Sequence, residues 1–426
     1  MSNKSSSEPA ASPSGPGTPP NFVFKLWLPF SCGYFMSYVL RNINAVLAPE
    51  LTQDFSLSAA ELGLLTSAFS FAFSLVQLPC GVLIDRYGAR RVNAALIMLS
   101  ALGCGVFAVS TSLTELVLGR ALIGVGMAMC LMAAVQTFSQ WFPIQRLPFA
   151  TGMLLAVGGV GGILAGAPVG WVLQFVSWRT VFLVCGLMLV AASLFVQFAV
   201  PERPRAGPRQ SLGTLVRGFG AIIANKTFWR INLMAAVTTS AYQGMQSLWI
   251  GPWMRDVAGY DRAATVGMIS ALALATTIGF AGLGTLVNQF MKRGWQPLLL
   301  YKIHAGLFIT LFTSIVVFRG GAAWLWLLLF TLGTGGVMMF TIYAQTFPVE
   351  WSGRVNTTAN VFSFGGTFAA QWGIGVILDR YPVVDGRYSP EAYQTAMLVL
   401  LGLMLAAFAW LLPMRRPEGF VTVGRE

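Results

Sequence analysis

The chain has 426 residues, of which 56% are hydrophobic and 10% charged, and its formal net charge is +12. Soluble domains contain roughly one quarter charged residues, so this composition excludes an ordinary water-soluble globule. The apolar residues form blocks of about 20, the length that an α-helix needs to cross the hydrocarbon core of a bilayer. Ten-residue segments of alternating polarity are absent, so the backbone must satisfy its hydrogen bonds within helices, and an all-α membrane protein is predicted.

The order of the apolar blocks predicts two bundles of six helices. Residues 1–24 are rich in Ser, Pro and Gly and are expected to form a disordered cytoplasmic tail. Twelve spans follow, at 25–49, 59–83, 93–112, 114–138, 147–172, 179–200, 231–253, 263–287, 297–318, 322–345, 355–378 and 392–413. One long polar stretch divides the series into a bundle at 25–200, a basic linker at 201–230, a second bundle at 231–413 and a tail at 414–426. Within the linker, Ser211–Asn225 is predicted to form an amphipathic helix on the inner leaflet.

The basic residues lie mainly on one side of the predicted membrane. About 18 Lys and Arg fall on the side that carries both termini and about 6 on the other, which by the positive-inside rule places both termini in the cytoplasm. The positive charge is therefore interpreted as a topology signal of a plasma-membrane protein and not as a nucleic-acid site. The five cysteines lie in spans of the first half without metal-ligand spacing, so neither a metal nor another cofactor is expected.

Two arginines lie inside spans of the first bundle, Arg41 in the first span and Arg120 in the fourth. Counted along their helices, both fall in the outer half of the bundle at a similar depth. None of the 15 acidic residues lies near the middle of a span. Unpaired guanidinium groups at low dielectric favour an anion, ideally a carboxylate held by two hydrogen bonds. The alternative is that backbone carbonyls and polar side chains satisfy both groups.

The loop between the second and third spans holds the most specific motif, GVLIDRYGARR at residues 81–91. Gly81 leaves room for a neighbouring helix, and Asp85 is expected to face the positive N-terminus of the eleventh span. Arg86, Arg90 and Arg91 add charges that can pair or separate as two halves of the protein rock. The alternative interpretation is a basic topology anchor with a glycine turn.

This motif resembles, position for position, the major facilitator superfamily signature G-x-L-x-D-R-x-G-x-R-R, and the resemblance extends over the whole chain. It implies twelve transmembrane helices in two pseudo-symmetric six-helix bundles, and transport of a small solute by alternating access. It also implies that the loop closes the cytoplasmic side. Internal repeats at an offset of about 205 residues, such as Gly170-x-x-Leu173 and Gly375-x-x-Leu378, agree with duplicated halves.

Further polar and aromatic side chains are expected to line a central cavity with the two arginines. The predicted substrate-binding set is Tyr34, Tyr38, Arg41, Arg120, Gln243, Gln246, Asn360 and Gln371. The segment Tyr38-x-x-Arg41-Asn42-x-Asn44 is similar to the opening of the anion:cation symporter group, in which a first-span arginine contacts an anionic substrate. Leu40 stands where that group often has an acidic residue, which puts proton coupling in doubt.

The predicted function is secondary transport of a small organic anion, such as a carboxylate or sugar acid, by symport or exchange. The alternative is efflux of a drug, siderophore or metabolite, although an exporter of cations would be expected to carry a buried acid. An enzyme is not predicted, because His304 is the only histidine and no catalytic triad or phosphate loop can be assembled. His304 and Lys302 are expected to be peripheral, with Lys302 reaching the lipid headgroups. The expected partners are an anionic small molecule and the bilayer, with protons left open, no nucleic acid, and a monomeric chain.

Overall fold

The computed structural model describes residues 23–142, 146–201, 219–348 and 351–415. Eleven helical segments in these ranges are long and apolar enough to cross a membrane. They correspond to eleven of the twelve predicted spans, and the seventh predicted span is the helical run from Lys226 to Asp256. This run is less apolar than the others because Gln243, Gln246 and Ser247 interrupt it. The all-α fold class is confirmed.

The helices of the two halves follow the predicted order. The first six spans comprise Val23–Trp27 (a π-helical turn), Leu28–Asn42 and Asn44–Phe55; Ala59–Tyr87; Ala89–Val109; Leu113–Met127 and Cys130–Trp141; Leu147–Leu164 and Ala167–Val172; and Trp178–Ala199. The last six comprise Lys226–Gly244, Met245–Trp249 (a π-helical turn) and Ile250–Asp256; Arg262–Lys292; Pro297–Phe318; Leu325–Gly333, Thr334–Val337 (a 3₁₀ turn) and Met338–Thr346; Ser352–Leu378; and Pro390–Leu411.

Two short elements connect the later spans. A 3₁₀ turn at Arg319–Ala322 follows the ninth span, and an antiparallel hairpin pairs Val383–Val384 with Arg387–Tyr388 between the eleventh and twelfth.

Of the predicted linker helix, residues 219–223 are helical. Residues 1–22, 202–218 and 416–426 lie outside the described ranges. The bundle boundaries at 25–200 and 231–413 remain predictions.

Several predicted continuous spans are broken helices, and the fifth span illustrates how the break is stabilised. Its helix stops at Leu164 and restarts at Ala167, next to Pro168, which has no amide hydrogen to donate. The amide of Ala167 instead donates to the hydroxyl of Ser270 on the eighth span, at 2.7 Å. A break inside the membrane is tolerated because the neighbouring span supplies the missing hydrogen-bond partner.

The two halves pack closely at one side of the bundle. We name the side at which the first span begins the terminal face and the opposite side the far face. Near the far face, Gly375 of the eleventh span lies against the backbone carbonyl of Ala59, and Gly63 of the second span lies against the backbone of Gln371. Gly166 of the fifth span makes a similar contact with Ser270. Because a side chain at any of these glycines would collide with the opposite half, backbone contact closes the far face.

Three glycines near the terminal face have open space on their Cβ side. Gly81, Gly152 and Gly284 lie near this face, and no described atom comes within 4 Å of the position that a Cβ would occupy at each of them. Gly81 was predicted to leave room for a neighbouring helix, and its role stays a prediction. The described residues therefore adopt a conformation closed at the far face.

Candidate functional site

Arg41 lies in a cage of aromatic rings at the boundary between the two halves. Its guanidinium carbon is 5.1 Å from the ring centroid of Tyr38, 5.2 Å from that of Phe73 and 5.1 Å from that of Phe364. Phe364 belongs to the eleventh span, so the cage joins both bundles. Within the described ranges, no carboxylate forms an ion pair with Arg41. Cation–π contacts of this kind hold the charge without neutralising it.

Arg120 lies beside this cage and is fully buried, with 0% of its surface exposed. Its Nη1 donates to the backbone carbonyl of Leu40 at 2.8 Å, and its guanidinium carbon is 5.5 Å from the ring of Phe69. The guanidinium of Arg41 approaches the same ring, at 5.8 Å. The Nε and Nη2 atoms of Arg120 are buried and have no hydrogen-bond partner among the described residues. Both arginines thus contact the Phe69 ring, and two N–H groups of Arg120 have no hydrogen-bond partner among the described residues.

A glycine in the fourth span brings these elements together. Gly124, one turn after Arg120, lies directly against the backbone of Phe69 on the second span. A side chain at this position would push the two helices apart and would move Arg120 away from the Phe69 ring. The pattern of small residues in the fourth span therefore positions the guanidinium.

The tyrosines of the first span form a second contact in this cluster. The rings of Tyr34 and Tyr38 are edge-on with centroids 5.1 Å apart, and their hydroxyls are 3.4 Å apart. A Cβ at Gly158 of the fifth span would lie 2.6 Å from the Tyr34 ring and 3.0 Å from that of Tyr38. The structure therefore brings Tyr34, Tyr38, Arg41 and Arg120 together, and Gly158 provides the space.

The predicted residues of the second half are more dispersed. Gln246 donates to the hydroxyl of Thr276 at 3.2 Å, and Tyr242 donates to the same oxygen at 3.3 Å. Gln371 is 1% exposed, and its Nε2 donates to the Ser247 hydroxyl at 2.6 Å. The structure therefore holds Gln371 between the seventh and eleventh spans. Gln243 and Asn360 are half-buried.

The predicted gating residues lie near the terminal face. Arg86 is exposed and stacks over the Tyr87 ring at 5.3 Å. Arg90 donates to the carbonyl of Val200 at 3.2 Å, and Arg91 is also engaged in a contact. The side chain of Asp85 lies outside the described part of the structure, so its predicted contact with the eleventh span remains a prediction.

Asp379 makes a contact between the two halves that the sequence analysis missed. Its carboxylate accepts hydrogen bonds from the backbone amides of Ala59 at 2.8 Å and Ala60 at 2.9 Å. These amides begin the second span, where the helix dipole favours a negative charge. Residues 375–381 read GVILDRY, which nearly repeats GVLIDRY at residues 81–87. The two copies are not separated by the offset of about 205 residues that relates the duplicated halves. The reason is that the second and eleventh spans do not occupy equivalent positions in the two halves.

A cavity of about 690 Å³ lies at the far face beside Asp379. Its lining residues include Leu62, Arg262, Asp379 and Tyr388. Burial raises the pKa of Tyr388 to about 12, so its hydroxyl stays protonated at physiological pH. The far face therefore carries a cavity lined by residues of both halves.

Asp256 is a second acidic residue whose contacts were not predicted from the sequence. Its side chain is 0% exposed and pairs with Arg255 at 2.6 Å. The carboxylate also accepts from the Tyr393 hydroxyl at 3.0 Å and from the Tyr388 amide at 3.3 Å. It lies at the end of the helical run of the seventh span, and the hairpin after the eleventh span contacts it.

Three other charged or titratable residues have defined positions. Glu61 is exposed and accepts from the backbone amide of Ser58 at 2.9 Å, as part of a capping box on the second span. Lys302 was expected to reach the headgroups, but its ammonium donates to the carbonyls of Leu412 at 2.8 Å and Met414 at 2.6 Å. His304 is buried and lies 2.7 Å from the carbonyl of Leu332, which agrees with a structural role.

Comparison with known proteins agrees with this architecture. The chain is 23% identical to the hexuronate transporter of Escherichia coli (strain K12) over 280 residues, which are 62% of this chain and 63% of that protein. It is 25% identical to the galacturonate transporter of Dickeya chrysanthemi over 280 residues, 62% of this chain and 79% of that protein. The crystal structure of a D-xylose-proton symporter superposes with a TM-score of 0.72 at 14% identity, covering 95% of this chain and 100% of the other. The match thus spans less than two thirds of the length of the first of these relatives.

The family assignment rests on a family model. The family model described as Major Facilitator Superfamily matches residues 30–371, well over half of the chain. The match includes the GVLIDRYGARR motif, Arg41, Arg120 and the eleventh span as far as Gln371. The chain belongs to the Major Facilitator Superfamily, and it is a multi-pass integral membrane protein.

Proposed function

We propose that the protein is a secondary transporter that moves a small organic anion across the plasma membrane by alternating access. The observation that carries this proposal is the arginine cluster, in which two guanidinium groups approach the Phe69 ring without a carboxylate partner among the described residues. The names of the relatives support it, because hexuronate and galacturonate are both carboxylates. Transport by this chain is expected without catalysis and without a cofactor.

The chemistry of the cluster favours a carboxylate as the ligand. A buried donor without a partner costs free energy, and a carboxylate can accept from two donors of one guanidinium at once. Nε and Nη2 of Arg120 are the unpaired donors, and the Nε of Arg41 is unpaired as well. An anion that enters the cluster would therefore offset both the missing hydrogen bonds and the uncompensated charge. Tyr34, Tyr38, Gln243, Gln246, Asn360 and Gln371 are proposed to complete the site.

The decisive experiment compares two sugars that differ only in the carboxylate. Purified protein in proteoliposomes is loaded with unlabelled galacturonate, and exchange with labelled galacturonate or labelled galactose is measured. We expect exchange of galacturonate at least tenfold above protein-free vesicles and none of galactose, because the neutral sugar leaves the guanidinium groups unpaired. Equal exchange of both sugars would contradict an anion site. If neither sugar exchanges, a panel of smaller labelled carboxylates tests the class, and failure of the whole panel contradicts the proposal.

Efflux is the second candidate function. Export of a cationic drug would require a buried acid to neutralise it, and the acids in the described spans lie at span ends. Export of an anionic metabolite would use the same arginine cluster, so the direction of transport is open to experiment. We propose uptake, because the relatives are named as transporters of hexuronate and galacturonate.

The orientation and oligomeric state follow from separate arguments. The excess of Lys and Arg on the terminal face favours a cytoplasmic location of that face and of both termini. We propose a monomer, because each chain carries both halves that an alternating-access cycle needs.

We further propose that the two copies of the repeated heptapeptide act as latches at opposite faces. Asp379, the fifth residue of GVILDRY, holds the start of the second span when the far face is closed. Asp85, the fifth residue of GVLIDRY, is proposed to hold the start of the eleventh span when the terminal face closes. Gly81 would give the space, and Arg86, Arg90 and Arg91 the counter-charges. One latch would form as the other opens.

Substitution of Gly375 by Ala is expected to disfavour closure of the far face. The added methyl group would overlap the carbonyl of Ala59, and such overpacking costs about 1–3 kcal/mol. Exchange in proteoliposomes should therefore fall about tenfold or more. Gly373→Ala is the matched control, since Gly373 lies on the same helix with no atom within 4 Å of its Cβ position. Equal rates for both variants would contradict closure through Gly375.

Proton coupling is expected not to depend on Glu61. This carboxylate is exposed and caps the second span, and Gln can still accept the hydrogen bond from the Ser58 amide. Glu61→Gln should therefore retain counterflow exchange within about twofold of the parent. Loss of exchange in this variant, with an unchanged melting temperature, would identify Glu61 as a coupling residue. If the transported proton is bound to the substrate, exchange of two substrates with different pKa values will depend on pH differently.

A further inference from the structure

A second cavity lies outside the central site, on the terminal face of the second half. It has a volume of about 570 Å³ and is formed by the loop between the eighth and ninth spans, the first turns of the ninth span and the chain after the twelfth. Three cationic side chains, Arg293, Lys302 and Arg415, line it, and no acidic residue does so among the described residues. Concentrated positive charge in a concavity at the edge of the membrane favours a phosphate-bearing anion.

The fold fixes the relative positions of these cations. The Lys302 ammonium donates to the carbonyls of Leu412 and Met414, which ties the end of the twelfth span to the ninth. This contact brings Arg415 to the cavity, one residue after Met414. An ammonium has three N–H donors, so Lys302 keeps one for a ligand after these two bonds. The cavity is thus built by two spans and does not depend on one mobile side chain.

An apolar surface continues from the cavity along the ninth span. Leu299 lines the cavity and is 48% exposed, and Ile303 and Leu307 follow at intervals of four residues with 43% and 53% exposure. Side chains at this spacing share one face of a helix. In a membrane-spanning helix, such an exposed apolar face contacts lipid chains. Trp295 lines the cavity and is 42% exposed, and Trp is enriched at the level of the lipid headgroups.

We propose that this cavity binds the headgroup of an anionic phospholipid, with the phosphate at Arg293, Lys302 and Arg415 and one acyl chain along Leu299, Ile303 and Leu307. The cations and the apolar face match the order of groups in a phospholipid, charged at the membrane edge and apolar toward the centre. A zwitterionic lipid also has a phosphate, but its own cationic group would meet the same three cations. The cavity should therefore prefer an anionic lipid. This inference does not rest on the proposed transport function.

The test measures lipid binding to the purified full-length protein in detergent by native mass spectrometry. Phosphatidylglycerol and phosphatidylcholine with identical acyl chains are compared. The test variant is Arg293→Gln with Arg415→Gln, which keeps Lys302 and its contact with the twelfth span. The control variant is Lys25→Gln with Lys292→Gln, which removes the same charge from exposed positions of the same face that do not line the cavity.

We expect the parent to bind phosphatidylglycerol at least tenfold more tightly than phosphatidylcholine. The test variant should lose roughly tenfold or more of the phosphatidylglycerol affinity, because each basic side chain contributes substantially at an anionic headgroup. The control variant should stay within twofold of the parent. An equal loss in both variants would overturn the proposal, because net charge alone would then explain the binding. Equal binding of the two lipids would overturn it as well. Displacement of the lipid by an equimolar amount of inorganic phosphate would show that a free anion, not a lipid, is the ligand.

Discussion

Replacement of Arg41 or Arg120 by Ala is expected to abolish exchange of an organic anion in proteoliposomes while the protein remains folded. Each side chain supplies a guanidinium to one cluster around Phe69, and no described carboxylate pairs with either. Removal of a charged contact to a bound anion costs about 2–5 kcal/mol, so exchange should fall by roughly 30-fold or more. Lys at either position should restore exchange only in part, because an ammonium cannot donate to both carboxylate oxygens in parallel. Exchange of labelled galacturonate, with size-exclusion profiles of each variant, measures this.

A surface arginine provides the control for the two variants. Arg319 pairs with Glu391 at 3.0 Å near the far face, with 42% of its side chain exposed. Arg319→Ala should exchange within about twofold of the parent, because exposed ion pairs contribute little. Near-parental exchange in both Arg41→Ala and Arg120→Ala would show that the anion site is wrongly assigned. If Arg120→Ala does not fold, Arg120→Gln keeps a donor for the Leu40 carbonyl and decides the question.

The second large effect is expected from Asp379. In Asp379→Ala, the amides of Ala59 and Ala60 lose their acceptor, and loss of a helix cap costs typically about 1 kcal/mol. The far face should then open more often, by about fivefold. Asp379→Asn should have a smaller effect than Asp379→Ala, because Asn keeps one acceptor oxygen for one of the two amides while its Nδ2 cannot accept from the other. A cysteine introduced at Leu62, which is 5% exposed in the far-face cavity, reports the opening through its rate of reaction with an impermeant maleimide.

Two further variants separate the latch from a general effect of charge. Asp385 lies in the hairpin turn of the same face with a φ of 50°, so Asp385→Gly removes a carboxylate without straining the backbone. It should leave the labelling rate unchanged. Asp85→Ala should slow the labelling, because weakening the terminal latch favours the state closed at the far face. A labelling rate in Asp379→Ala equal to that of Asp385→Gly would contradict the far-face latch.

The predicted site residues differ in how far the sequence could place them. Arg41 and Arg120 share the Phe69 ring, as their similar predicted depth implied, because the rise of an α-helix is fixed. The aromatic cage of Arg41 was not predictable, since Phe73 and Phe364 come from spans in different halves. Gln371 has the polarity of a cavity residue, but its contact with Ser247 could be seen only after the seventh and eleventh spans were packed together.

Local composition was sufficient to predict the helical elements. Block length determined the helical spans, and the fixed motif at residues 81–91 indicated the family before any contact was known. The tertiary structure alone decided which face is closed, because closure depends on glycines such as Gly375 meeting a backbone in the other half. It also decided the roles of Asp379 and Asp256, two acids at span ends. Whether such an acid is solvated or caps another helix depends on the packing of distant segments, and no local pattern encodes that packing.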